Sequence, residues 1–215
     1  MPQSHYEFLS ILVPNPIYLL AKGSSLKVKK LLVANTDFFF PTELVKNHSV
    51  PFEQQSSVSV GALQYFDAKI TKRFGTPENP KDRIFLSRRN CQWRRLENEK
   101  QIILALEKFK FKTVYIEDFS FEDQVKIFQN CEFIVAPNGS SLSNLIFASP
   151  NVKLLMLGQK NLFNWGGWFG SFKELGYSIS YLAGDSISKG TDKHSDYTVP
   201  VSNVCTKVIE MLRHN

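Results

Sequence analysis

The chain has 215 residues, of which 43% are apolar and 21% charged, values that are ordinary for a soluble globular protein and argue against a disordered one. Its net charge of +6 fits an anionic partner such as nucleic acid, nucleotide phosphates or a membrane surface, and does not choose among them. The 18 phenylalanines favour a well-packed core.

Cysteine usage and the N-terminus predict where the protein works. Cys91, Cys131 and Cys205 are widely spaced and odd in number, which argues against a disulfide framework or a zinc site and favours a reducing compartment. No charged region precedes a long apolar run at the N-terminus, so we expect no signal peptide. The longest early apolar stretch, Ile17 to Ala21, is too short to span a bilayer. We therefore expect a soluble, cytoplasmic protein.

The first part of the chain shows mixed helix and strand patterns. An apolar segment covers residues 6–13, and residues 28–34 have the pattern of a strand. A short helix over 42–46 and a weak strand over 56–60 follow. Residues 61–74 carry apolar side chains at the spacing of an amphipathic helix.

A turn-rich stretch, Gly75 to Pro80, is the clearest break in the chain. We place a boundary within it, with a partial N-terminal α/β region over 1–77 and a Rossmann-like domain over 78–215. Beyond the break, strands and helices alternate at the spacing of right-handed βαβ units, which predicts a parallel sheet covered by helices on both faces. The predicted strands are 83–87, 113–116, 132–136, 152–157 and 177–182; the predicted helices are 95–109, 120–130, 141–148, 172–175 and 204–212. Residues 184–195 are polar, and we expect them to be mobile.

The segment Pro137-Asn138-Gly139-Ser140-Ser141 has the pattern of a strand-to-helix turn that binds an anion. Pro137 ends the strand, and we expect Gly139 to provide a backbone turn that other residues resist. Ser140 and Ser141 then stand at a helix start, where N–H groups lack intrahelical partners and attract anions. The alternative is that one of the two serines merely caps the helix.

Arg88, Arg89, Arg94 and Arg95 form a basic cluster just past a predicted strand. Arginine binds phosphate through a rigid fork of donors, and two neighbouring arginines can clamp a pyrophosphate. Arg94 and Arg95 point in different directions on the predicted helix, so we expect at most one of them to face a ligand. The alternative for the cluster is a solvated loop.

The helix predicted after this cluster carries Glu97, Asn98 and Glu99 in its first turn. Acidic side chains there interact favourably with the helix dipole. We therefore expect these residues to stabilise the start of the helix, and we rank this role above a role in ligand binding.

Other common catalytic patterns are not found in the sequence. It has no Ser–His–acid spacing, P-loop, GxGxxG or metal-ligand motif, so we expect no metal. The histidines lie outside the regular strand–turn–helix region: His5, His48, His194 and His214. The tryptophans could stack on a base or a sugar ring, although packing is their commoner role; they are Trp93, Trp165 and Trp168.

Taken together, the segments 84–89, 94–99, 120–124 and 137–144 resemble the family 61 glycosyltransferases, whose bacterial members act in capsular and cell-surface polysaccharide synthesis. The family pattern runs roughly I-Y-I-S-R, R-x-I-x-N-E, S-x-x-E-Q, then P-H-G-A-G-L-T-N and a strand ending in E-L. The resemblance covers residues 82–157 with its motifs in the right order and at the right spacing.

The resemblance implies a two-domain GT-B architecture with a nucleotide-sugar bound in the cleft, of which this chain would supply the C-terminal half. Arg88 and Arg94 would then face the donor diphosphate. It implies no cofactor besides the nucleotide-sugar co-substrate and no metal, because arginines and a helix N-terminus can neutralise the leaving diphosphate. The donor-binding residues carried over by position are Arg88, Arg94, Asn98, Glu99, Asn138, Gly139, Ser140, Ser141, Leu142 and Asn144.

The sequence departs from the family pattern at several positions. Asn138 replaces the family's histidine, Ser141 its second glycine, and Met156 its glutamate near the end of the next strand. Asp123 stands in place of the glutamate before Gln124. The general base stays unassigned, and the local candidates are Glu117, Asp118 and Glu122.

The leading hypothesis is a glycosyltransferase that moves a sugar from a nucleotide-sugar donor to a glycan acceptor in surface polysaccharide synthesis. The alternative is a degenerate, non-catalytic module that binds a nucleotide or a glycan in a polysaccharide assembly. The hypothesis of a nucleic-acid binder rests only on net charge and scattered aromatic side chains and ranks well behind, so we expect no nucleic-acid partner. We expect peripheral contact with the inner face of the membrane, and a homo-oligomer is compatible with the short N-terminal region.

Overall fold

The computed structural model describes residues 3–30, 38–39, 57–88, 91–160, 169–187 and 194–213. Two short 3₁₀ helices, Ile116–Asp118 and Ser140–Phe147, accompany the regular elements. The helices are α1 Gln3–Leu12, α2 Val60–Phe74, α3 Glu99–Glu107, α4 Phe121–Gln129, α5 Phe169–Glu174 and α6 Val201–Arg213. The strands are β1 Phe38–Phe39, β2 Ser57–Val58, β3 Asp82–Leu86, β4 Phe111–Val114, β5 Cys131–Pro137, β6 Lys153–Gln159, β7 Ser178–Ser186 and β8 Tyr197–Thr198.

A six-stranded sheet in the order β4-β3-β5-β6-β7-β8 forms the centre of the molecule. All neighbours are parallel except β8, which runs antiparallel to β7. The chain leaves β3 toward one side to form β4 and then returns to the other side to form β5. Such a reversal opens a crevice at the carboxyl ends of the two strands that flank it, here β3 and β5. The predicted Rossmann-like α/β fold is confirmed.

Alternating side chains along the strands build two separate cores, one on each face of the sheet. On one face, Ile134 and Met156 pack with α2, α4 and the second 3₁₀ helix. On the other, Phe133 and Leu155 pack with α3 and α6. Each fully buried large apolar side chain contributes roughly 1.5–3 kcal/mol relative to an exposed one. Burial on both faces explains why these strands read as nearly continuous apolar runs.

Several predicted elements are confirmed within a few residues, and α4 is confirmed together with its cap. Ser120 Oγ accepts a hydrogen bond of 3.2 Å from the Asp123 backbone N–H, and its hydroxyl donates to the Asp123 carboxylate at 2.6 Å. The apolar segment 6–13 lies mostly within α1, and the predicted strand 56–60 is reduced to the two residues of β2.

Other predicted boundaries were wrong. The helix predicted from Arg95 begins only at Glu99, because Leu96 pairs with Tyr197 in an isolated bridge. The helix predicted after Gly139 is a 3₁₀ helix, and β7 extends into the stretch predicted to be mobile. The sequence also gave no sign of β8. Residues 28–30 are in neither helix nor strand, and the remainder of that predicted strand and the predicted helix 42–46 lie outside the described residues.

The N-terminal helices pack on the face that carries α4. Leu63 and Ile70 of α2 are 4% and 1% exposed within that core. Phe8 of α1 lies with its ring centroid 5.8 Å from that of Phe147 and 6.1 Å from that of Phe121. The boundary placed near residue 77 stays a prediction. Among the described helices, none combines the length and apolar composition needed to cross a bilayer.

Candidate functional site

A cleft of about 700 Å³ lies at the carboxyl edge of the sheet, where β3 and β5 end. Its apolar floor comes from α1, α4 and the two 3₁₀ helices. Its polar lining combines one arginine, one carboxylate, two amides and four hydroxyls: Arg88, Glu117, Gln124, Asn144, Ser87, Ser140, Ser141 and Ser143. The fold thus brings the residues after β3 and the residues after β5 together at one edge of the sheet.

Arg88 is held in this cleft by two neighbouring elements. Its Nη1 donates a hydrogen bond of 2.7 Å to the Asn138 backbone carbonyl, just past β5. Its backbone N–H donates to Glu99 Oε1, at the start of α3, at 3.2 Å. Glu99 thus fixes the backbone of Arg88 while Asn138 orients its guanidinium. The remaining guanidinium donors form a preorganised fork of the kind that binds carboxylates and phosphates.

Gly139 is needed at this point for a reason other than the predicted one. Its φ of −173° and ψ of 172° are extended values, so no special backbone turn requires glycine. A Cβ at this position would instead come within 2.8 Å of Arg88 Nε and 3.0 Å of Arg88 Cζ. Glycine therefore lets the guanidinium lie directly against the backbone that follows β5.

Arg94 carries a buried hydrogen-bond donor that pairs with no described residue. Its backbone has a φ of +57°, unusual for a residue other than glycine, and its N–H donates to the His194 carbonyl at 3.1 Å. Among the described residues, none accepts a hydrogen bond from its Nε. Burial lowers the pKa of the Arg94 guanidinium, and the positive charge of Arg88 lowers it further. Arg94 is not part of the cleft lining, but it lies within electrostatic reach of Arg88, so an anion bound at Arg88 would stabilise both cations.

Arg95 and Asn98 serve the architecture. Arg95 donates from Nε and Nη2 to Asp196 Oδ2, at 2.9 and 2.6 Å, and its backbone N–H donates to Asp196 Oδ1 at 2.7 Å. Asn98 donates from Nδ2 to the Val199 carbonyl at 2.7 Å and accepts from the Val199 N–H at 3.2 Å. Both ends of the Asn98 amide are therefore engaged. Arg89 lies outside the described residues.

The second 3₁₀ helix presents its first residues to the cleft. Ser140 and Ser141 both line it, and the buried Ser141 Oγ has no hydrogen-bond partner within the described part of the chain. Leu142 is completely buried in the core and donates its backbone N–H to the Gly139 carbonyl at 3.1 Å. Leu142 therefore anchors the turn while the two serines face the cleft.

Asn144 and Gln124, both matched to the family motifs, contact each other. Asn144 Nδ2 donates to Gln124 Oε1 at 3.0 Å, and Gln124 Nε2 donates to the Phe119 carbonyl at 3.0 Å. This chain of amides joins the 3₁₀ helix to the start of α4. The sequence placed Gln124 in a motif without a role, and the spatial pairing supplies one.

Of the three candidate bases, Glu117 lines the cleft. Glu122 pairs with Lys126 one helical turn later, and this pairing raises the pKa of the lysine. Asp118 lies in the same 3₁₀ turn as Glu117 and is not part of the cleft wall. Among the described residues, no cluster of three or more His, Cys, Asp or Glu side chains could hold a metal ion.

Met156 lies inside the protein, away from the cleft. Its side chain is 3% exposed, and it belongs to the core formed with α2 and α4. Trp93 is 58% exposed, with its ring 5.5 Å from that of His194, while Trp165 and Trp168 lie outside the described residues. Sequence reasoning missed Phe8 and Cys91 as cleft residues, because neither belongs to a motif.

Comparison with known families gives one match. The family model described as Glycosyltransferase 61 matches residues 5–155, which is well over half of the chain. The matched region includes all of the residues carried over by position. A comparison with curated proteins found no match.

Proposed function

Because the chain belongs to the Glycosyltransferase 61 family, we propose that the cleft binds a nucleotide-sugar and transfers its sugar to a glycan acceptor. The donor diphosphate lies between the Arg88 guanidinium and the start of the second 3₁₀ helix. Ser140, Ser141 and the backbone after Gly139 complete the phosphate site.

The observation that carries this proposal is the oriented Arg88 guanidinium on the cleft wall, with Arg94 within electrostatic reach of it. Arg94 Nε and Ser141 Oγ are buried and pair with none of the described residues, and the charge of Arg88 lowers the pKa of Arg94. A diphosphate would supply both the missing acceptors and the opposing charge. Hydrogen bonds between charged partners contribute roughly 1.5–3 kcal/mol each, so the site favours an anionic group over a neutral sugar.

The chemistry follows from the charge that develops on the leaving group. Transfer breaks the bond between the anomeric carbon and the diphosphate oxygen and forms a bond from that carbon to an acceptor hydroxyl oxygen. Fixed guanidinium and N–H donors stabilise the negative charge that the departing diphosphate gains. Glu117, the carboxylate on the cleft wall, accepts the proton of the acceptor hydroxyl.

The finer assignments rest on the resemblance. We propose that the acceptor belongs to surface polysaccharide synthesis, that the protein works in the cytoplasm, and that neither a metal nor a further cofactor takes part. The GT-B architecture and a homo-oligomeric state are proposed on the same ground.

The test is donor binding by arginine variants. Calorimetric titration with UDP-, GDP-, CMP- and dTDP-sugars should identify one selective donor for the wild-type protein. Arg88→Ala and Arg94→Ala should each weaken its Kd on the order of 10–100-fold, the equivalent of one lost charge-assisted contact. Arg73→Ala, an exposed arginine at the end of α2 outside the cleft lining, is the matched control. Unchanged affinity in both the Arg88 and the Arg94 variant would contradict the assignment.

A non-catalytic binding module is the second candidate. Two observations favour it: Asn138 stands where the family has histidine, and Met156 is buried where the family has glutamate. One measurement distinguishes glycosyl transfer from binding alone: the release of free nucleoside diphosphate from the selected donor. Turnover with acceptor or with water would exclude the binding module, and tight binding without turnover across an acceptor panel would favour it.

A further inference from the structure

The segment that follows α1, residues 13–30, exposes an unusual amount of apolar surface. It is in neither helix nor strand. Five of its large apolar side chains are 48–81% exposed: Tyr18, Leu19, Leu20, Leu26 and Val28. Single exposed apolar side chains are normal on soluble proteins, whereas a concentration of them marks an interaction site.

The same segment is strongly basic. It carries Lys22, Lys27, Lys29 and Lys30, and no acidic residue stands between Glu7 and Asp37. All four lysines are exposed. Lysine and apolar side chains therefore share one solvent-facing stretch, and that stretch of sequence contains no carboxylate to offset the positive charge of the lysines.

A turn in the middle of the segment groups these side chains. The Ser24 N–H donates to the Ala21 carbonyl at 3.0 Å, which closes a four-residue β-turn. Its third residue, Gly23, has a φ of +81°, a positive value that glycine adopts readily in such turns. The chain reverses there, with Lys22 in the turn itself. The apolar residues 18–20 precede the turn, and Leu26 and Val28 follow it.

The neighbouring helix α2 adds further positive charge. Its last turn carries Lys72 and Arg73, and one turn earlier Lys69 lies 5.2 Å above the ring of Tyr65. Tyr65 also donates from its hydroxyl to the Leu12 carbonyl at 3.3 Å, which fixes the start of the segment beside α2. The three basic side chains line a groove between α1, α2 and the start of α4, which also contains Glu7 and Glu122.

We propose that residues 13–30 form a docking surface for an anionic lipid bilayer. Lysines near an anionic membrane are attracted to its surface charge, and adjacent aromatic and aliphatic side chains enter the boundary between headgroups and acyl chains. A bilayer offers both environments side by side, which matches a segment that presents both kinds of side chain.

This docking surface is connected to the cleft through α1. Phe8 lines the cleft, and the segment begins at Val13, five residues later, a distance of roughly 8 Å along a helix. The bound protein would therefore hold the mouth of the cleft close to the membrane. The inference does not depend on glycosyl transfer, since it concerns a surface outside the cleft.

The test is co-sedimentation of the full chain with vesicles of phosphatidylcholine alone and of phosphatidylcholine with 30% phosphatidylglycerol. We expect binding to the anionic vesicles, at least 10-fold weaker binding to the neutral ones, and loss of binding at 0.5 M NaCl, where charge attraction is screened. The triple variants Lys27→Glu/Lys29→Glu/Lys30→Glu and Tyr18→Ser/Leu19→Ser/Leu20→Ser should each reduce binding 10-fold or more.

Matched controls come from α3 and the turn after it. Lys100→Glu/Lys108→Glu/Lys110→Glu makes the same change of charge at exposed lysines, and Leu104→Ser removes a leucine that is 63% exposed, the same exposure as Leu26. Both controls should bind like the wild type. Absence of binding to anionic vesicles, equal loss in the controls, or a dimer in which the Tyr18–Leu20 surface is covered would each overturn the proposal.

Discussion

The Arg88 guanidinium lies against the backbone of Gly139, so close that a single added Cβ would approach Arg88 Nε to 2.8 Å. The contact joins the end of β3 to the end of β5 across the crevice of the sheet, and the 2.7 Å hydrogen bond from Arg88 Nη1 to the Asn138 carbonyl completes it. Two motifs that are some fifty residues apart in the sequence thus form one structural unit.

Gly139→Ala should impair donor binding while leaving the fold intact. The backbone of Gly139 is extended and accepts alanine, and the obstructing atoms belong to a flexible side chain that can move. The displaced guanidinium loses its orientation, so we expect about 10-fold weaker donor binding, equivalent to one charge-assisted hydrogen bond. Calorimetry and thermal unfolding measure the two effects separately.

Gly184→Ala is the matched control for that variant. A Cβ there would run into the Thr198 carbonyl oxygen and approach Val199 Cγ2 to 2.7 Å, and a backbone obstacle cannot swing away. We expect a loss of about 1–3 kcal/mol in the free energy of unfolding, the usual cost of overpacking. If Gly139→Ala behaves like this control, Arg88 is not the group that gives way.

The amide pair Asn144–Gln124 should be energetically coupled. Each single alanine variant leaves a partly buried amide unpaired, which costs about 1–3 kcal/mol, while the double variant leaves none behind. A double-mutant cycle by urea denaturation should give a coupling energy of about 0.5–1.5 kcal/mol. The control cycle combines Asn144→Ala with Asn130→Ala. The Asn130 side chain donates to the Lys126 carbonyl at the end of α4, so the effects of these two substitutions should be additive. Additivity in the Gln124 cycle as well would disprove the coupling.

Met156→Glu, which restores the family residue, should destabilise the protein instead of creating a contact with the donor. The side chain is 3% exposed in an apolar core, so a carboxylate there is buried without a partner, at a cost of about 3–5 kcal/mol. Met156→Leu keeps the volume and should cost less than about 1.5 kcal/mol. Urea denaturation at pH 7 compares the two. Tighter donor binding by a stable Met156→Glu protein would mean that this position faces the ligand after all.

The Arg95–Asp196 pair should make stability depend on acidity. Its hydrogen bonds and charge lower the pKa of Asp196 below the ordinary value of 3.8, so the ionised carboxylate is favoured in the folded state. The resulting stabilisation is present above the unfolded pKa near 4 and is lost as pH falls through the lower folded value. Asp196→Asn should therefore unfold more easily than wild type at pH 7, and the difference should shrink as the pH is lowered below 4. A stability difference that does not change between these pH values would contradict this origin.

The parts of the fold that the sequence predicted well depend on local signals. The Ser120 cap and the amphipathic α2 are encoded within a few residues, so pattern and propensity suffice. The strands β3, β5 and β6 are apolar runs bounded by polar turns, and their alternation with helices implies the parallel sheet.

The misplaced features depend on contacts between distant residues. The helix expected from Arg95 begins at Glu99 because residues 95–98 pair instead with residues 196–199, about a hundred positions away. No local pattern distinguishes Arg94, with its buried Nε, from Arg95, with its ion pair at the surface. The reason for Gly139 was likewise invisible, since it lies in the side chain of a residue on another strand.

The pairing of residues 95–98 with 196–199 determines which segments of this protein must stay together when the chain is shortened or recombined. The family match ends at residue 155, yet the backbone that carries Arg94 is held by His194, Tyr197 and Val199. A fragment that retains every family motif would lack the segment that positions one of its two central arginines. Grafts, truncations and chimaeras of this chain should therefore keep both stretches together, because residues 194–199 hold the backbone around Arg94 in place.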